Sequence, residues 1–272
     1  MIKKLMIKKR NLFFLSLLVQ FSLFAQEENI GAISTDRPNA TYAASMMNYK
    51  YLQVESGGIY QELEGNGYVE DAITYNTSVI RYGLLTNLEV QASWSYQENN
   101  YHHRDLTSKN GFSALHLATK VGVTEQMGWV PKMTLFSQLS FPFAASKDYQ
   151  NETTGIEVRM LMNNDLSKRS SLSYNLGVNK LNDASEISYV YTLSYGYSIT
   201  QKIGLFAEVY ANIPEDHTAE HFWDIGGTYL LSNNFQADLL FGTGFDNAQN
   251  YQIAAGLSYR FSKNPSKASE VK

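Results

Sequence analysis

His217-Thr218-Ala219-Glu220-His221 has the H-x-x-E-H spacing of a zinc peptidase, in which a helix turns both histidines to one side of the metal and the glutamate acts as base. The segment does not predict that chemistry. It lies in a short loop after Pro214 and runs straight into a strand-like alternation, which leaves no room for the helix. His102, His103 and Asp105 are further metal-type side chains in another polar stretch. They read, with His217 and His221, as solvated loop residues, and no metal or other cofactor is expected. A barrel-embedded hydrolase would need serine beside histidine on one face of the wall. His116 has the opposite, inward phase, and the same-face neighbours of His221 are Ala219 and Trp223. Asp216-His217 is half of an acidic protease pair with no identifiable partner, so the chain is not expected to be an enzyme.

A second set of reactive side chains is spread over most of the sequence. Glu55, Arg81, Glu89, His116, Lys120, Glu157, Arg159, Glu208, Asp224, Asp238 and Arg260 all fall on the polar phase of alternating stretches. Six acids then share one face with four permanent bases. Interior ions without partners are costly, so one reading is a salt-bridge network that fills a narrow barrel. The other is a polar lining for a permeation path, and the two are compatible.

The elements that must position these residues are strands of period two. Twelve stretches carry the alternation, at 50–60, 72–85, 87–96, 113–123, 132–143, 155–163, 171–180, 187–198, 203–212, 221–230, 235–244 and 251–261. In the third, Leu88, Val90, Ala92, Trp94 and Tyr96 oppose Glu89, Gln91, Ser93 and Ser95. Most stretches have the ~9 to 11 residues with which a tilted strand crosses a bilayer. A soluble sandwich would carry polar residues on its exposed face, yet here the apolar phase holds large side chains nearly throughout. Tyr60, Tyr82, Tyr96, Tyr189, Tyr191, Tyr195, Tyr229 and Tyr259 suit membrane–water belts, where the ring meets headgroups and the hydroxyl stays wet. Closure would remove edge strands, whose unpaired amides are prohibitive in hydrocarbon. The expectation is all-β: a twelve-stranded antiparallel up-and-down transmembrane barrel of the outer-membrane type.

Connections set its orientation. Thr86-Asn87, residues 199–202 and residues 231–234 are tight, whereas 97–112, 144–154 and 213–220 are longer and polar. Tight turns belong on the periplasmic side and long loops outside, and an even strand count returns both termini to the periplasm. The turn at 124–131 is longer than this rule prefers.

Composition agrees. The chain is 44% hydrophobic, but its mean hydropathy of -0.29 shows dispersed apolar residues. The one continuous apolar run, Leu12 to Phe24, follows Lys3, Lys4, Lys8, Lys9 and Arg10 and precedes polar Gln26. Residues 1–25 therefore read as a signal peptide for Sec-type export, with an N-terminal anchor as the alternative that the run's shortness disfavours. Its removal lowers the formal charge from -4 to -9. So acidic a chain is a poor nucleic-acid ligand. Absence of cysteine excludes disulfides, thiolate metal sites and a lipidated N-terminal cysteine.

Several short motifs recur in a set order. Ser34-Thr35-Asp36-Arg37-Pro38-Asn39 precedes Leu52-Gln53-Val54-Glu55-Ser56-Gly57-Gly58. Arg81-Tyr82-Gly83-Leu84, Leu88-Glu89-Val90, Phe206-Ala207-Glu208 and Phe235-Gln236-Ala237-Asp238 follow. From about Ile33 to Phe261 the chain resembles the outer-membrane barrel family of transporters of the MetA pathway of phenol degradation. The resemblance implies a barrel that passes small organic molecules.

The expected organisation is a signal peptide (1–25), a lead-in (26–48), a barrel (49–261) and a disordered polar tail (262–272). The lead-in holds Asp36, Arg37 and Pro38. It either folds into the lumen as a plug or latch, with Asp36 and Arg37 pairing with Arg81 or Glu89, or caps the barrel bottom. The expected function is diffusive passage of small solutes, hydrophobic or aromatic ones included, with a mild cation preference. No phosphate-binding glycine loop opens a helix, so no nucleotide drives it. The expected partners are outer-membrane lipid, a small-molecule solute and the outer-membrane assembly machinery. The alternative is a non-transporting structural or adhesive barrel, whose longest loop carries Tyr101, His102, His103 and Arg104.

Overall fold

The computed structural model describes residues 31–65, 67–103, 105–245 and 247–261. The expected signal peptide and polar tail lie outside the described residues. Thirteen strands are formed: β1 (Leu52–Gly65), β2 (Tyr68–Leu85), β3 (Leu88–Tyr101), β4 (Lys109–Phe112), β5 (Leu115–Thr124), β6 (Lys132–Phe141), β7 (Gly155–Asp165), β8 (Ser170–Lys180), β9 (Ser188–Ser198), β10 (Ile203–Pro214), β11 (Glu220–Ser232), β12 (Phe235–Phe245) and β13 (Gln249–Phe261).

Every pairing between these strands is antiparallel, and β1 closes on β13 from Leu52 opposite Phe261 to Leu63 opposite Gln249. Twelve strands make this ring. The thirteenth, β4, pairs only with the upper part of β3, and Ser113 and Ala114 separate it from β5. There the Ser113 hydroxyl accepts from the Ser95 amide at 3.0 Å, which takes the place of a ladder bond. The stretch expected as one strand at 113–123 is thus the lower half of a longer, interrupted strand.

β1, β2 and β3 also run further outward than the apolar alternation predicts. Residues 97–101, expected in a loop, belong to β3. Polar side-chain pairs replace lipid contact at this height: Tyr60 donates to Asp71 at 2.7 Å, and Asn99 donates to Glu70 at 2.5 Å. Above lipid a strand needs no apolar phase, so its sequence loses the expected signature while its backbone stays paired.

Burial is inverted relative to a soluble domain. Large apolar side chains such as Leu176, Leu205, Ile225, Leu239 and Leu257 stand exposed on the outer wall. The largest fully buried side chains include Arg81, Lys120, Gln53, Glu55, Glu89 and Asn175. Apolar residues meet inside in one small cluster of Ala44, Ala118, Phe136 and Leu161, with Tyr42 packed against it. No helix among the described residues is long and apolar enough to cross a membrane.

Candidate luminal site

The described part of the lead-in, residues 31–48, is wound around the inner wall, and it is anchored at the tight-turn rim near Ile33 and again at Tyr49 and Lys50. The Ile33 amide donates to the Asn233 carbonyl in the β11–β12 turn at 2.7 Å. Tyr49 bridges Gly83, and the Lys50 amide donates to the Gly83 carbonyl at 2.7 Å, beside the β2–β3 turn. Between these anchors the backbone lacks regular secondary structure. Its amides and carbonyls must therefore be met by wall side chains.

They are met strand by strand. On β1, Glu55 accepts the Asp36 and Arg37 amides, each at 3.1 Å. On β10, Glu208 accepts the amides of Ala40 at 2.9 Å and Thr41 at 2.7 Å, as well as the Thr41 hydroxyl. Asn175 of β8 grips Tyr42 from both sides, accepting its amide at 2.8 Å and donating to its carbonyl at 3.1 Å. Thr134 of β6 donates to the Ala44 carbonyl at 2.6 Å, and Glu89 of β3 accepts the Met47 amide at 2.6 Å.

The charged side chains form the second layer. Lys120 donates to both Asp36 carboxylate oxygens, at 2.7 and 2.8 Å, and to the Ala43 carbonyl at 2.9 Å. Arg81 contacts Glu55 at 2.8 Å, Glu89 at 2.7 Å and Asp36 at 3.5 Å. Asp36 thus joins Arg81 in one network. Arg37 takes other partners, Thr77 at 2.5 Å and Asp238 at 3.3 Å, because Glu89 is already occupied by Arg81 and Met47. The Arg37 guanidinium lies in a slot left by Gly57 and Gly256, which face each other across β1 and β13. A Cβ at Gly57 would stand 2.2 Å from its Nη2, and one at Gly256 would stand 2.4 Å from it.

The remaining sequence-selected residues fall at different heights. Arg159 pairs with Glu157, donates to the Ala40 carbonyl at 3.2 Å and lies 4.6 Å over the Tyr42 ring. Burial, followed by the Glu157 charge, pushes the Tyr42 phenol up to about 12. Asp224 sits opposite Glu208 in register, with the two carboxyl groups within reach of each other. His116 lines a cavity of about 50 Å³ with Gln138, Ser140 and Glu157. Arg260 donates to Asn234 at 2.9 Å at the tight-turn rim. Pro38 continues the lead-in after Arg37. Gln53, Thr77, Thr134, Asn175 and Thr192 were not singled out by sequence, because neutral side chains at inward positions give no charge signal. Their inward parity was legible, but their partners were not.

The histidine motif does not assemble. His217 pairs with Glu186 across two outer loops, whereas His221 contacts the Tyr191 hydroxyl at 3.1 Å. Among the described residues no group of three or more histidine, cysteine, aspartate or glutamate side chains is placed to hold a metal ion.

Known structures share this architecture. The COG4313 outer membrane channel from Pseudomonas putida F1 superposes with a TM-score of 0.68 at 10% identity, covering 82% of this chain and 99% of that one. The KdgM porin gives 0.53 at 8% identity, covering 78% and 99%. These likenesses establish a twelve-stranded outer-membrane-type barrel. No curated protein matches the sequence. The family described as "Putative MetA-pathway of phenol degradation" matches residues 35–261, nearly the whole described barrel with its lead-in, and the chain belongs to that family.

Proposed function

We propose that the barrel is an outer-membrane channel for small molecules, whose lumen is gated by its own N-terminal segment. The observation that carries this reading is the wall-to-backbone bonding of residues 33–48. A small barrel can fill its lumen with its own side chains alone. Here a separate piece of chain occupies the lumen and is held through hydrogen bonds, each worth about 0.5–1.5 kcal/mol net. Such bonds can be exchanged for water. The structural relatives are a channel and a porin, which supports the same reading.

The family description points to aromatic compounds. Tyr210 and Phe222, inward on β10 and β11, stack with centroids 5.0 Å apart and offer a ring-shaped solute a face. Liposome swelling tests the proposal. Deleting residues 26–48 should raise uptake of phenol-sized solutes and single-channel conductance. Unchanged conductance would remove the plug from the reading, and no uptake of any solute by either form would favour the structural or adhesive barrel.

A further inference from the structure

On β8, β9 and β10 the lead-in is bonded to Asn175, Ser194 and Glu208, and the wall changes character between that level and the tight turns. In register, the next inward row is Ser171, Gly196, Phe206 and Gly226, and the row below it is Ser198, Gly204 and Thr228. These small side chains leave a hollow of about 430 Å³ at the tight-turn mouth. Glycine is what keeps it open. A Cβ at Gly204 would stand 2.8 Å from the Thr228 hydroxyl, and one at Gly226 would collide with the Phe206 ring, which leans across β11 there. Phe206 therefore supplies an aromatic surface at the inner end, two strand residues or about 7 Å above the Gly204 row.

Charge lies at the outer end. Lys168 and Arg169 of the β7–β8 turn line the rim of this hollow, and neither forms an ion pair among the described residues. The turn does not need their side chains for its shape. The Ser167 hydroxyl accepts the Arg169 and Ser170 amides at 3.1 and 3.0 Å, and the Ser198 amide donates to the Arg169 carbonyl at 2.7 Å. Asp165, the one acid lining the hollow, accepts from Asn163 at 3.1 Å. Where the rest of the lumen has more acids than bases, this mouth has two bases for one engaged acid. We infer that the hollow binds a small organic carboxylate with a flat apolar body, its charge at Lys168 and Arg169 and its body against Phe206. Ser171, Ser198 and Thr228 supply hydroxyl donors between the two ends. An inorganic anion would leave the ring unused, and a neutral solute would leave both cations unused. The site rests on the channel reading for how a solute reaches it, and not for the binding itself.

The test takes benzoate as probe and the full processed chain in phosphatidylcholine nanodiscs. Saturation-transfer NMR should show saturable binding that weakens as salt rises. Water-exposed cations contribute modestly, so Lys168→Gln and Arg169→Gln should each weaken it about threefold and the double variant about tenfold. Gly196→Leu, which fills the hollow and leaves both charges in place, should abolish it. Benzyl alcohol, the neutral counterpart, should bind about tenfold more weakly than benzoate. Absence of saturable binding, or equal binding of benzoate and benzyl alcohol, would overturn the site. Displacement by inorganic phosphate at the same concentration as benzoate would overturn the role of Phe206. Loss of benzoate binding when phosphatidylglycerol replaces phosphatidylcholine would give the rim cations to lipid headgroups and likewise overturn it. Benzoate binding in a barrel that passes no current even without residues 26–48 would uphold the site and remove the channel reading. Heat-modified gel mobility, unchanged in every variant, keeps folding out of the comparison.

Discussion

Lys120 and Asp36 show what a single contact must do inside this barrel. Both are buried, and each is the other's shortest ionic partner. Removing one partner of a buried pair leaves an uncompensated charge, at a cost of about 3–5 kcal/mol. Lys120→Met should lower stability by that order in urea unfolding from lipid vesicles. Asp36→Asn in the same background should recover part of the loss, because the second charge is then gone. If the double variant is as unstable as the sum of the singles, the pair is not coupled. Glycine offers a test that touches no charge. Gly256→Leu fills the slot of the Arg37 guanidinium, so the variant should keep its ring of strands while releasing this end of the lead-in. Higher open-channel conductance checks it, and wild-type conductance would show that Arg37 is not a latch.

The outer loops are held by carboxylates in much the same way. Asp183 accepts the Glu152 amide at 3.0 Å and the Thr153 amide at 2.8 Å, which ties the β8–β9 loop to the β6–β7 loop. The backbone bond from Thr153, then that from Glu152, holds its carboxyl below the ordinary aspartate range. Glu186 does the same toward Asp216 and is likewise lowered, first by that amide bond. A depressed folded value means that the stabilisation is present above the unfolded carboxyl value and is lost as pH falls through the folded one. Loop protection should therefore hold from pH 7 down through the usual carboxylate range near 4 and fail only below it. Limited proteolysis with pepsin across that range checks this. Asp183→Asn should be cut in the β6–β7 loop, between 144 and 154, even at pH 4–5, and equal protection of both forms would discard the clasp. Such loop bonds were invisible in the sequence, because loops carry no period. The strands were legible where one face meets lipid, as along Leu88 to Tyr96. They were lost where β1, β2 and β3 rise above it, since there both faces are polar. The lead-in was legible as a charged, strandless segment ahead of Leu52. Its course was not, because irregular backbone takes its path from partners spread over ten strands.

For the whole molecule, the lumen's charge decides which ions would pass. Glu55, Glu89, Glu157, Glu208, Asp224 and Asp238 line the wall with Arg81, Lys120, Arg159 and Arg260, so acids exceed bases by two. Residues 31–48 of the lead-in add one of each, Asp36 and Arg37, and residues 26–30 carry two further acids, Glu27 and Glu28. Deleting residues 26–48 therefore leaves the wall's own excess of two acids while widening the path. A narrow, low-dielectric lumen concentrates such a field, so the form lacking residues 26–48 should be cation-selective. The excess is also unevenly placed: Glu208 and Asp224 face each other across β10 and β11 with no base beside Asp224 among the ion pairs of the described residues. This pair should dominate the selectivity. Reversal potentials across a tenfold salt gradient are the measurement, expected to favour potassium over chloride and to move toward zero in Glu208→Gln/Asp224→Asn. The double change brings four acids against four bases, and an unshifted potential would mean that permeant ions do not pass the β10–β11 wall.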